Sequence, residues 1–310
     1  MSILFFASIF AALLIDRLYG DPKKIWSTVP HPVVLFGKLI AFATDNLNHG
    51  NGRQWKGTAF VGVSCILLAM LGVLISSVPL GEVISILLAA ILLAHKALID
   101  HVKDVAEQLR VSDARGRMAV AHLVGRDIDQ LDSSEIAKAA VESAAEGFSD
   151  GVVAPCFWFL ILGPAGILVY KFVNTADSMI GYRNTEFAQF GWAAARFDDL
   201  LNWIPARLSA LLLLLAGSAV GRFSAVMSDA RLHESPNAGW PEAATAHILD
   251  LALGGRRSYQ GETVDLPTFN SAGRELLISG DIDDSVHLIN QAHSMTVRAI
   301  GMLIIIGVIF

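Results

Sequence analysis

The sequence predicts an all-α, polytopic integral membrane protein with about five to six hydrophobic helices and helical cytosolic loops. Its composition is the first reason: of 310 residues, 54% are apolar and 17% are charged, whereas a soluble chain has about 25% charged residues. The clustering of the apolar residues is the second reason. Residues 58–78 carry no charge, and their length matches the roughly 20 residues that span the hydrocarbon core.

Further hydrophobic segments follow the same pattern along the chain. Residues 80–98 come directly after Pro79 and predict a helical hairpin with 58–78. Other candidates are residues 152–172, 204–221 and 299–310. Residues 3–15 lack the preceding basic residues and the small-x-small cleavage site of a signal peptide. We therefore expect a short first helix that is retained.

The segment 152–172 leaves two topologies open. It contains Pro155 and, near its middle, Gly163-Pro164. It either spans as a kinked helix or folds back as two half-helices, since irregular backbone is tolerated at membrane depth when protein buries it. The choice decides on which side of the membrane residues 174–203 lie.

The placement of charge predicts the orientation. Basic residues are concentrated before and after the predicted hairpin, which puts both groups on one side, and the positive-inside rule makes that side cytoplasmic. These residues are Arg17, Lys23, Lys24, Lys38, Arg53 and Lys56, then Lys103, Arg110, Arg115, Arg117, Arg126 and Lys138. We expect a multi-pass protein of the bacterial inner membrane, with residues 1–310 forming one membrane-embedded domain. The net charge of −6 argues against nucleic acid as a partner.

An acidic helix is the first candidate site. Asp132 and Glu135 predict an N-terminal capping box, and Gly147 is a candidate left-handed residue at the C-terminus. Steps of four place Glu142, Glu146 and Asp150 in one stripe with Lys138. The stripe either binds a metal ion or substrate, or is a solvated face. The opposite, alanine-rich face suits close helix packing.

Two further polar segments flank the segment 152–172. Lys171, Asn174 and Asp177 share one helix face, and Arg196, Asp199 and Asn202 share another, with Asp198 beside it. Carboxylates at such spacing suit Mg²⁺ held by one or two acids plus substrate phosphates, and basic groups suit phosphate or carboxylate. Internal ion pairing between helices is the alternative. Pro205 either ends this helix or kinks it ahead of Arg207.

The segment 222–298 is soluble-like in composition. Residues 235–241 form a Pro- and Gly-containing loop of the kind that shapes pockets. A helix begins near Pro241 and is expected to end at Gly254-Gly255, with a polar connector over 259–283. Gly125-Arg126 is a weak candidate for anion binding. No GxxxxGK[ST], GxGxxG or HExxH motif occurs, so a nucleotide would not be held by a Walker-type loop.

Eight stretches give the chain a resemblance to a known family. They are LLIDRLYGDP, HPVVLFGKLI, KALIDHV, AVAHLVGRD, AAVESAAEGFSDGVVAP, YKFVNTADSMIGYR, FGWAAARFDDLLNWIPARL and DARLHESPNAGWPEAA, in this order. The chain resembles the membrane cobinamide(-phosphate) synthases of cobalamin biosynthesis. One position departs from that pattern: Gly147 stands where the family's acidic motif has Asn.

The resemblance implies an ATP- and Mg²⁺-dependent amide ligation. A propionate carboxyl of (adenosyl)cobyric acid joins the amine of (R)-1-amino-2-propanol or its O-phosphate. The expected partners are these small substrates, membrane lipid and other late enzymes of the pathway. On this hypothesis the catalytic residues are Asp177, Lys171, Arg196 and Asp199. The metal ligands are Asp177, Asp198 and Asp199, with Glu142, Glu146 and Asp150 as second candidates. The substrate and phosphate ligands are Asn174, Arg183, Asn202, Arg207, Arg126, His233, Asn237 and Trp240.

Two other classes of function remain open at this stage. A membrane signalling protein related to the regulator of β-lactamase induction would share the architecture without ligase activity. A small transporter would use charges at the midplane of the membrane, but no internal repeat is evident. The density of acidic motifs favours the enzyme.

Overall fold

The computed structural model describes residues 3–125, 127–259 and 262–309. Helices dominate this part of the chain, with one two-stranded antiparallel sheet. The α-helices are α1 (Ile3–Tyr19), α2 (Lys23–Trp26), α3 (Pro32–Leu47), α4 (Arg53–Ser77), α5 (Gly81–Leu92), α6 (His95–Val111), α7 (Asp113–Val120), α8 (Ser133–Phe148), α9 (Ala154–Leu162), α10 (Pro164–Ile180), α11 (Trp192–Ala216), α12 (Phe223–Ala230), α13 (Gly239–Leu249) and α14 (Ser279–Ile309). A π-helical turn (Ser149–Val153), a 3₁₀ turn (Val220–Arg222) and the strands β1 (Leu253–Tyr259) and β2 (Glu262–Phe269) complete it.

The predicted membrane class is confirmed. Within the described residues, five helical stretches are long and apolar enough to cross a membrane: Arg53–Ser77, Gly81–Val111, Ser133–Leu162, Trp192–Ala216 and Ser279–Ile309. Side chains along α4 such as Ile66, Met70 and Leu74 are about 60% exposed (62%, 63% and 59%). An exposed apolar surface of this extent suits contact with lipid. The protein is therefore an all-α, polytopic membrane protein.

The chain divides into two compact units. Unit 1 comprises residues 1–94, 154–202 and 299–310, and unit 2 comprises 95–153 and 203–298. Each of the four unit boundaries, 94/95, 153/154, 202/203 and 298/299, falls within one of the helical stretches named above. That all 310 residues act as one synthase domain stays a prediction.

Two glycines fix the direction of α10 against α4 in unit 1. A Cβ at Gly72, late in α4, would lie 2.3 Å from the Cα of Ala165 at the start of α10. At the other end of α4, a Cβ at Gly57 would lie 1.9 Å from the carbonyl oxygen of Phe190. Because the connection that follows α10 reaches the start of α4, the two helices are antiparallel, and at Gly72 they approach each other more closely than a larger residue would permit.

The chain folds back at Gly163. This residue has φ +61° and ψ −144°, a region that essentially only glycine adopts. A Cβ at Gly166 would lie 2.1 Å from the carbonyl oxygen of Trp158, so α9 and α10 are in close contact after the turn. Of the two topologies left open for 152–172, the structure contains the pair of helices that turn back, and α10 returns toward the end of unit 1 that contains Gly57.

The long helix α8 forms much of the core of unit 2. The predicted capping box is confirmed, since Asp132 and Glu135 each accept a hydrogen bond from the other's backbone N–H. The alanine-rich face, from Ala137 to Ala145, is fully buried. The prediction that Gly147 ends the helix is wrong. The helix continues through Phe148 into the π-turn, and a Cβ at Gly147 would lie 2.7 Å from Cδ1 of Leu98.

The segment after α13 differs from the sequence-based expectation. The helix ends at Asp250, which adopts the left-handed conformation with φ 55°, and Gly254-Gly255 does not terminate it. Both glycines have positive φ, 79° and 83°, and they begin β1 at a β-bulge. Part of the expected polar connector is β2, which pairs with β1.

Candidate functional site

A chain of side-chain hydrogen bonds joins α10 to α11 in unit 1. The Tyr170 hydroxyl donates to the Asn202 amide oxygen at 3.0 Å. The Asn202 amide nitrogen donates to Asp198 Oδ2 at 2.9 Å, and the Asn174 amide nitrogen donates to Asp198 Oδ1 at 3.4 Å. Tyr170 and Asn202 are buried. We call these four residues the Asp198 cluster; it holds one carboxylate between two amides, with both oxygens used.

Asp177 lies one turn after Asn174 on α10, and its carboxylate packs against Gly181. A Cβ at Gly181 would be only 2.0 Å from Asp177 Oδ1. The glycine of the MIGYR motif therefore leaves the space that the carboxylate occupies. Lys171 is half-buried on the same helix.

The remaining predicted residues of unit 1 lie in the first turns of α11 and in the connection between α10 and α11. Arg196 Nη1 is 3.7 Å from Asp199 Oδ2, an ion pair within α11. Arg183 is exposed in the connection between α10 and α11. That connection is compact, since a Cβ at Gly191 would lie 1.6 Å from the carbonyl oxygen of Ile180.

Arg207 forms a second cluster, in unit 2. Its guanidinium lies 4.5 Å from the ring centre of Trp203 and 4.8 Å from that of Trp240, distances typical of cation–π contacts. It also donates to Asn237 Oδ1 at 3.3 Å and to the Pro236 carbonyl at 3.4 Å. Pro205 does not end the helix, because α11 continues through it to Ala216. The structure thus brings together three predicted ligands, Arg207, Asn237 and Trp240.

The loop before α13 is ordered by short-range hydrogen bonds. The Ser235 hydroxyl accepts the N–H groups of Asn237 and Ala238 at 3.2 and 3.3 Å. The Ser235 N–H donates to His233 Nδ1 at 2.9 Å. In the neutral imidazole, Nδ1 either accepts this N–H or donates to the Ser235 carbonyl at 3.3 Å, and Nε2 faces Glu242 Oε1 at 3.9 Å. Burial lowers the pKa of His233 below its usual value, so this neutral form is favoured.

A buried charge network links α8, α13 and β1 in unit 2. Glu142 Oε1 accepts the N–H of Gly254 at 2.7 Å, and Glu142 Oε2 lies 3.0 Å from Arg257 Nη2. Glu242 Oε2 is 3.7 Å from the same guanidinium nitrogen. The side chains of Glu142 and Glu242 are 7% and 3% exposed. We call Glu142, Arg257, Glu242 and His233 the Arg257 network.

Arg257 and Glu242 are functional candidates that the sequence reasoning missed. Glu242 lies within the SPNAGWPEA motif, which was a usable signal. Arg257 lies in no quoted motif, and its partner Glu142 is more than 100 residues earlier in the chain, so no local pattern pointed to it.

The predicted magnesium ligands are distributed over several environments. Asp198 is held by amides, Asp199 pairs with Arg196, and Glu142 contacts the sheet. Glu146 is exposed and Asp150 lies in the π-turn. Among the described residues, no group of three or more His, Cys, Asp or Glu side chains is placed to hold a metal ion. The donor chemistry suits Mg²⁺ that takes one or two carboxylates and otherwise substrate phosphates. Arg126, a predicted ligand, lies outside the described residues.

Comparison with known proteins identifies the family. A family model described as CobD/Cbib protein matches residues 9–289. Three relatives bear the name Cobalamin biosynthesis protein CobD. That of Sinorhizobium fredii is 42% identical, with 98% of both chains covered. That of Brucella suis is 45% identical, covering 89% of this chain and 90% of the relative. That of Halalkalibacterium halodurans is 39% identical, with 92% of both covered. No solved structure matches the chain. The chain belongs to the CobD/Cbib protein family.

Proposed function

We propose that this protein is an ATP- and Mg²⁺-dependent amide ligase of cobalamin biosynthesis in the bacterial inner membrane. It joins a propionate carboxyl of (adenosyl)cobyric acid to the amine of (R)-1-amino-2-propanol or its O-phosphate. The relatives named for cobalamin biosynthesis, similar over nearly their whole length, support the pathway. They give no support to the signalling alternative.

The Asp198 cluster is the observation that carries the proposed chemistry. It joins two separate motifs, VNTADSMIGYR and FGWAAARFDDLLNWIPARL, through the hydrogen bonds of Asn174 and Asn202 to one carboxylate. A carboxylate fixed in this way is preorganised, and preorganised charge is usually the largest contribution to enzymatic rate.

The location of the cluster fits substrates from the cytosol. The connection from α10 to α11 contacts the end of α3 and the start of α4, since Asn48 and Arg53 both donate to the Glu186 carbonyl, at 3.1 and 3.4 Å. That end of α4 carries Arg53 and Lys56, which belong to the predicted cytoplasmic side.

Several of the predicted residues have roles that follow from the chemistry of their own side chains. Mg-ATP, when bound, supplies the phosphoryl group that makes the substrate carboxyl reactive. Asp198, with Asp177 or Asp199, would hold the magnesium ion together with phosphate oxygens. Lys171 and Arg196 would neutralise phosphate charge, since positioning and charge neutralisation dominate phosphoryl transfer. The Arg207 cluster would contact a carboxylate of the corrinoid.

The test is a ligation assay on the purified protein in detergent, with adenosylcobyric acid, Mg-ATP and either amine. We expect amide product by mass spectrometry, and a loss of about a hundredfold or more in rate for Asp198→Asn, the size typical for removing a preorganised group. Asp45→Asn is the matched control, because Asp45 is exposed on α3. Absence of product with both amines would overturn the proposal.

A further inference from the structure

The guanidinium of Arg207 uses only part of its hydrogen-bonding capacity within the described chain. It carries five N–H groups. Nη1 donates to the Trp203 carbonyl at 2.6 Å and to Asn237 Oδ1 at 3.3 Å, and Nη2 donates to the Pro236 carbonyl at 3.4 Å. The N–H of Nε and one N–H of Nη2 take part in none of these bonds. Among the described residues, no carboxylate forms an ion pair with this guanidinium.

The same guanidinium is held in a fixed orientation. In addition to the three hydrogen bonds, the ring centres of Trp203 and Trp240 lie 4.5 and 4.8 Å from it. The Ser235 hydroxyl in turn orders the loop by accepting the N–H of Asn237. A donor that is oriented before its ligand arrives loses little entropy on binding. Arg207 is therefore preorganised for an acceptor that approaches Nε and Nη2.

The Arg207 cluster lies at an exposed surface. Trp203 is 53% exposed and Arg207 is half-buried, whereas Trp240 is only 7% exposed. Ile204, which follows Trp203 on α11, is 50% exposed. An open site of this kind does not limit the size of its ligand, so a large molecule can present one anionic group to it.

The nitrogens Nε and Nη2 match one class of group. They can donate side by side to the two oxygens of a carboxylate or a phosphate. A primary or secondary amide offers one oxygen and an N–H group, and that N–H would face a donor of the guanidinium. A site that pairs with both oxygens therefore rejects the amide, because one of its own donors is then left without an acceptor.

The proposed reaction converts a group of the first kind into a group of the second. Adenosylcobyric acid carries one carboxylate, the propionate that reacts, since its other acid side chains are already amides. In the product this last carboxylate is an amide as well. Of all the corrinoid side chains, only the reacting propionate can therefore accept two N–H groups from Arg207.

We propose that Arg207 is the residue that selects the reacting propionate, binding both of its oxygens through Nε and Nη2 and so fixing which edge of the macrocycle faces the protein. The same contact is lost when the carboxylate becomes an amide, which favours release of the product. That the acid is a corrinoid rests on the proposed function, whereas the site for an anionic pair of oxygens is argued from the contacts of Arg207.

Binding is measured on the full-length protein in phosphatidylcholine nanodiscs, without ATP, Mg²⁺ or amine. Adenosylcobyric acid and adenosylcobinamide, its amide with the free amine, are titrated by calorimetry. We expect the wild type to bind the acid about tenfold or more tightly than the amide, the scale of one hydrogen bond to a charged group. Arg207→Lys keeps the charge without the paired N–H groups, so it should remove this preference by raising the Kd of the acid alone.

The matched control is Arg231→Lys. Arg231 is exposed in the same unit, and its guanidinium contacts the Sδ atom of Met227. This variant should keep the preference of the wild type for the acid.

A second variant protects the test against local misfolding. Trp203 is exposed, so Trp203→Leu should fold normally and, by removing one cation–π contact, should raise the Kd of the acid about two- to fivefold. The proposal is overturned if the wild type binds the acid no more tightly than the amide, or if both variants keep the wild-type Kd for the acid. It is also overturned if phosphatidylglycerol nanodiscs weaken acid binding by the wild type and not by Arg207→Lys, because a lipid headgroup would then occupy the site.

Failure of the site and failure of the function give different results. A preference for the acid that Arg207→Lys removes, in a wild-type protein that forms no amide, contradicts the ligase and supports the site. Amide formation with an unchanged KM for adenosylcobyric acid in Arg207→Lys and Trp203→Leu contradicts the site and supports the ligase.

Discussion

At the scale of single residues, the sequence predicted which side chains share a helix face but not which of them meet. The spacing of Asn174 and Asp177 on one helix, and of Asp199 and Asn202 on the next, follows from helical periodicity. The contact of Asn174 with Asp198 depends on the tight connection closed by Gly181 and Gly191. That contact is tertiary, so periodicity does not contain it.

Gly181→Ala should test the space reserved for Asp177. The added Cβ would lie 2.0 Å from Asp177 Oδ1 and 2.6 Å from its carbonyl oxygen, so the carboxylate must move. A displacement of about 1 Å in a catalytic group can lower the rate about a hundredfold. We therefore expect a large fall in kcat in the ligation assay. Gly221→Ala is the control, since a Cβ there meets nothing within 4 Å; equal activity of the two variants would contradict the assignment of Asp177.

His233 should make the stability of the protein depend on pH. Burial lowers its pKa below the usual 6.5, and the nearby Arg257 acts in the same direction. The folded state then binds fewer protons than the unfolded state, so this contribution to stability is fully present above about pH 6.5 and is lost as the pH falls through the folded pKa. The thermal midpoint of the wild type should drop more between pH 7.5 and pH 5.5 than that of His233→Gln.

The control for this comparison is His49→Gln, a change at an exposed histidine in unit 1. The thermal midpoint of this variant should depend on pH in the same way as that of the wild type. Parallel profiles for the wild type and His233→Gln would show that His233 titrates alike in the folded and unfolded states.

At the scale of elements, the length of the hydrophobic segments predicted the membrane helices, whereas the composition of the polar segments did not predict the strands. The hairpin of α4 and α5 follows directly from two apolar runs separated by Pro79. The strand β1 was missed because its sequence, LGGRRSY, contains two glycines and two arginines, a composition that does not favour a strand. A tertiary contact stabilises β1: the carboxylate of Glu142, which lies more than 100 residues earlier in the chain, binds Gly254 and Arg257.

Helix α3 should lie along the membrane surface. Its 16 residues extend about 24 Å, less than the roughly 30 Å hydrocarbon core. His31 at its start contacts the Ile91 carbonyl at 3.1 Å, and Asn48 at its end contacts the Glu186 carbonyl. Both contacts are at the end of unit 1 where α5 finishes and α4 begins. Phe36 and Ile40 are buried, while Leu35 and Phe42 are 49% and 66% exposed.

A spin label on Phe42→Cys should therefore be relaxed more by lipid-soluble oxygen than by a water-soluble nickel chelate. The label on Asn51→Cys, which is exposed in the connection between α3 and α4, should show the opposite preference. Both natural cysteines are buried, so the label goes to the introduced thiol. Dominant relaxation by nickel at position 42 would place this face in water.

At the scale of the whole molecule, the sequence predicted a protein that crosses the membrane several times. It also predicted that the basic residues flanking the hairpin of α4 and α5 lie on the cytoplasmic side. It left the side of residues 174–203 open because Gly163-Pro164 is compatible with a kink or a reversal. The structure contains the reversal, for the reason that Gly163 adopts a backbone conformation closed to other residues. Gly166 then lets α10 pack against α9.

Labelling of single introduced cysteines should show which side of the membrane each end of unit 1 faces. Thr185 lies in the connection that contacts Arg53, and Asn51 lies just before α4, whereas Ser77 is at the opposite end of α4. All three are exposed. A membrane-impermeant maleimide added to intact spheroplasts should label Ser77→Cys and not Asn51→Cys or Thr185→Cys, because the basic end of α4 is cytoplasmic. After permeabilisation all three should react. Labelling of Thr185→Cys together with Ser77→Cys in intact spheroplasts would contradict the reversal at Gly163. Labelling of Thr185→Cys together with Asn51→Cys in intact spheroplasts would instead show that the orientation is inverted, and it would leave the reversal intact.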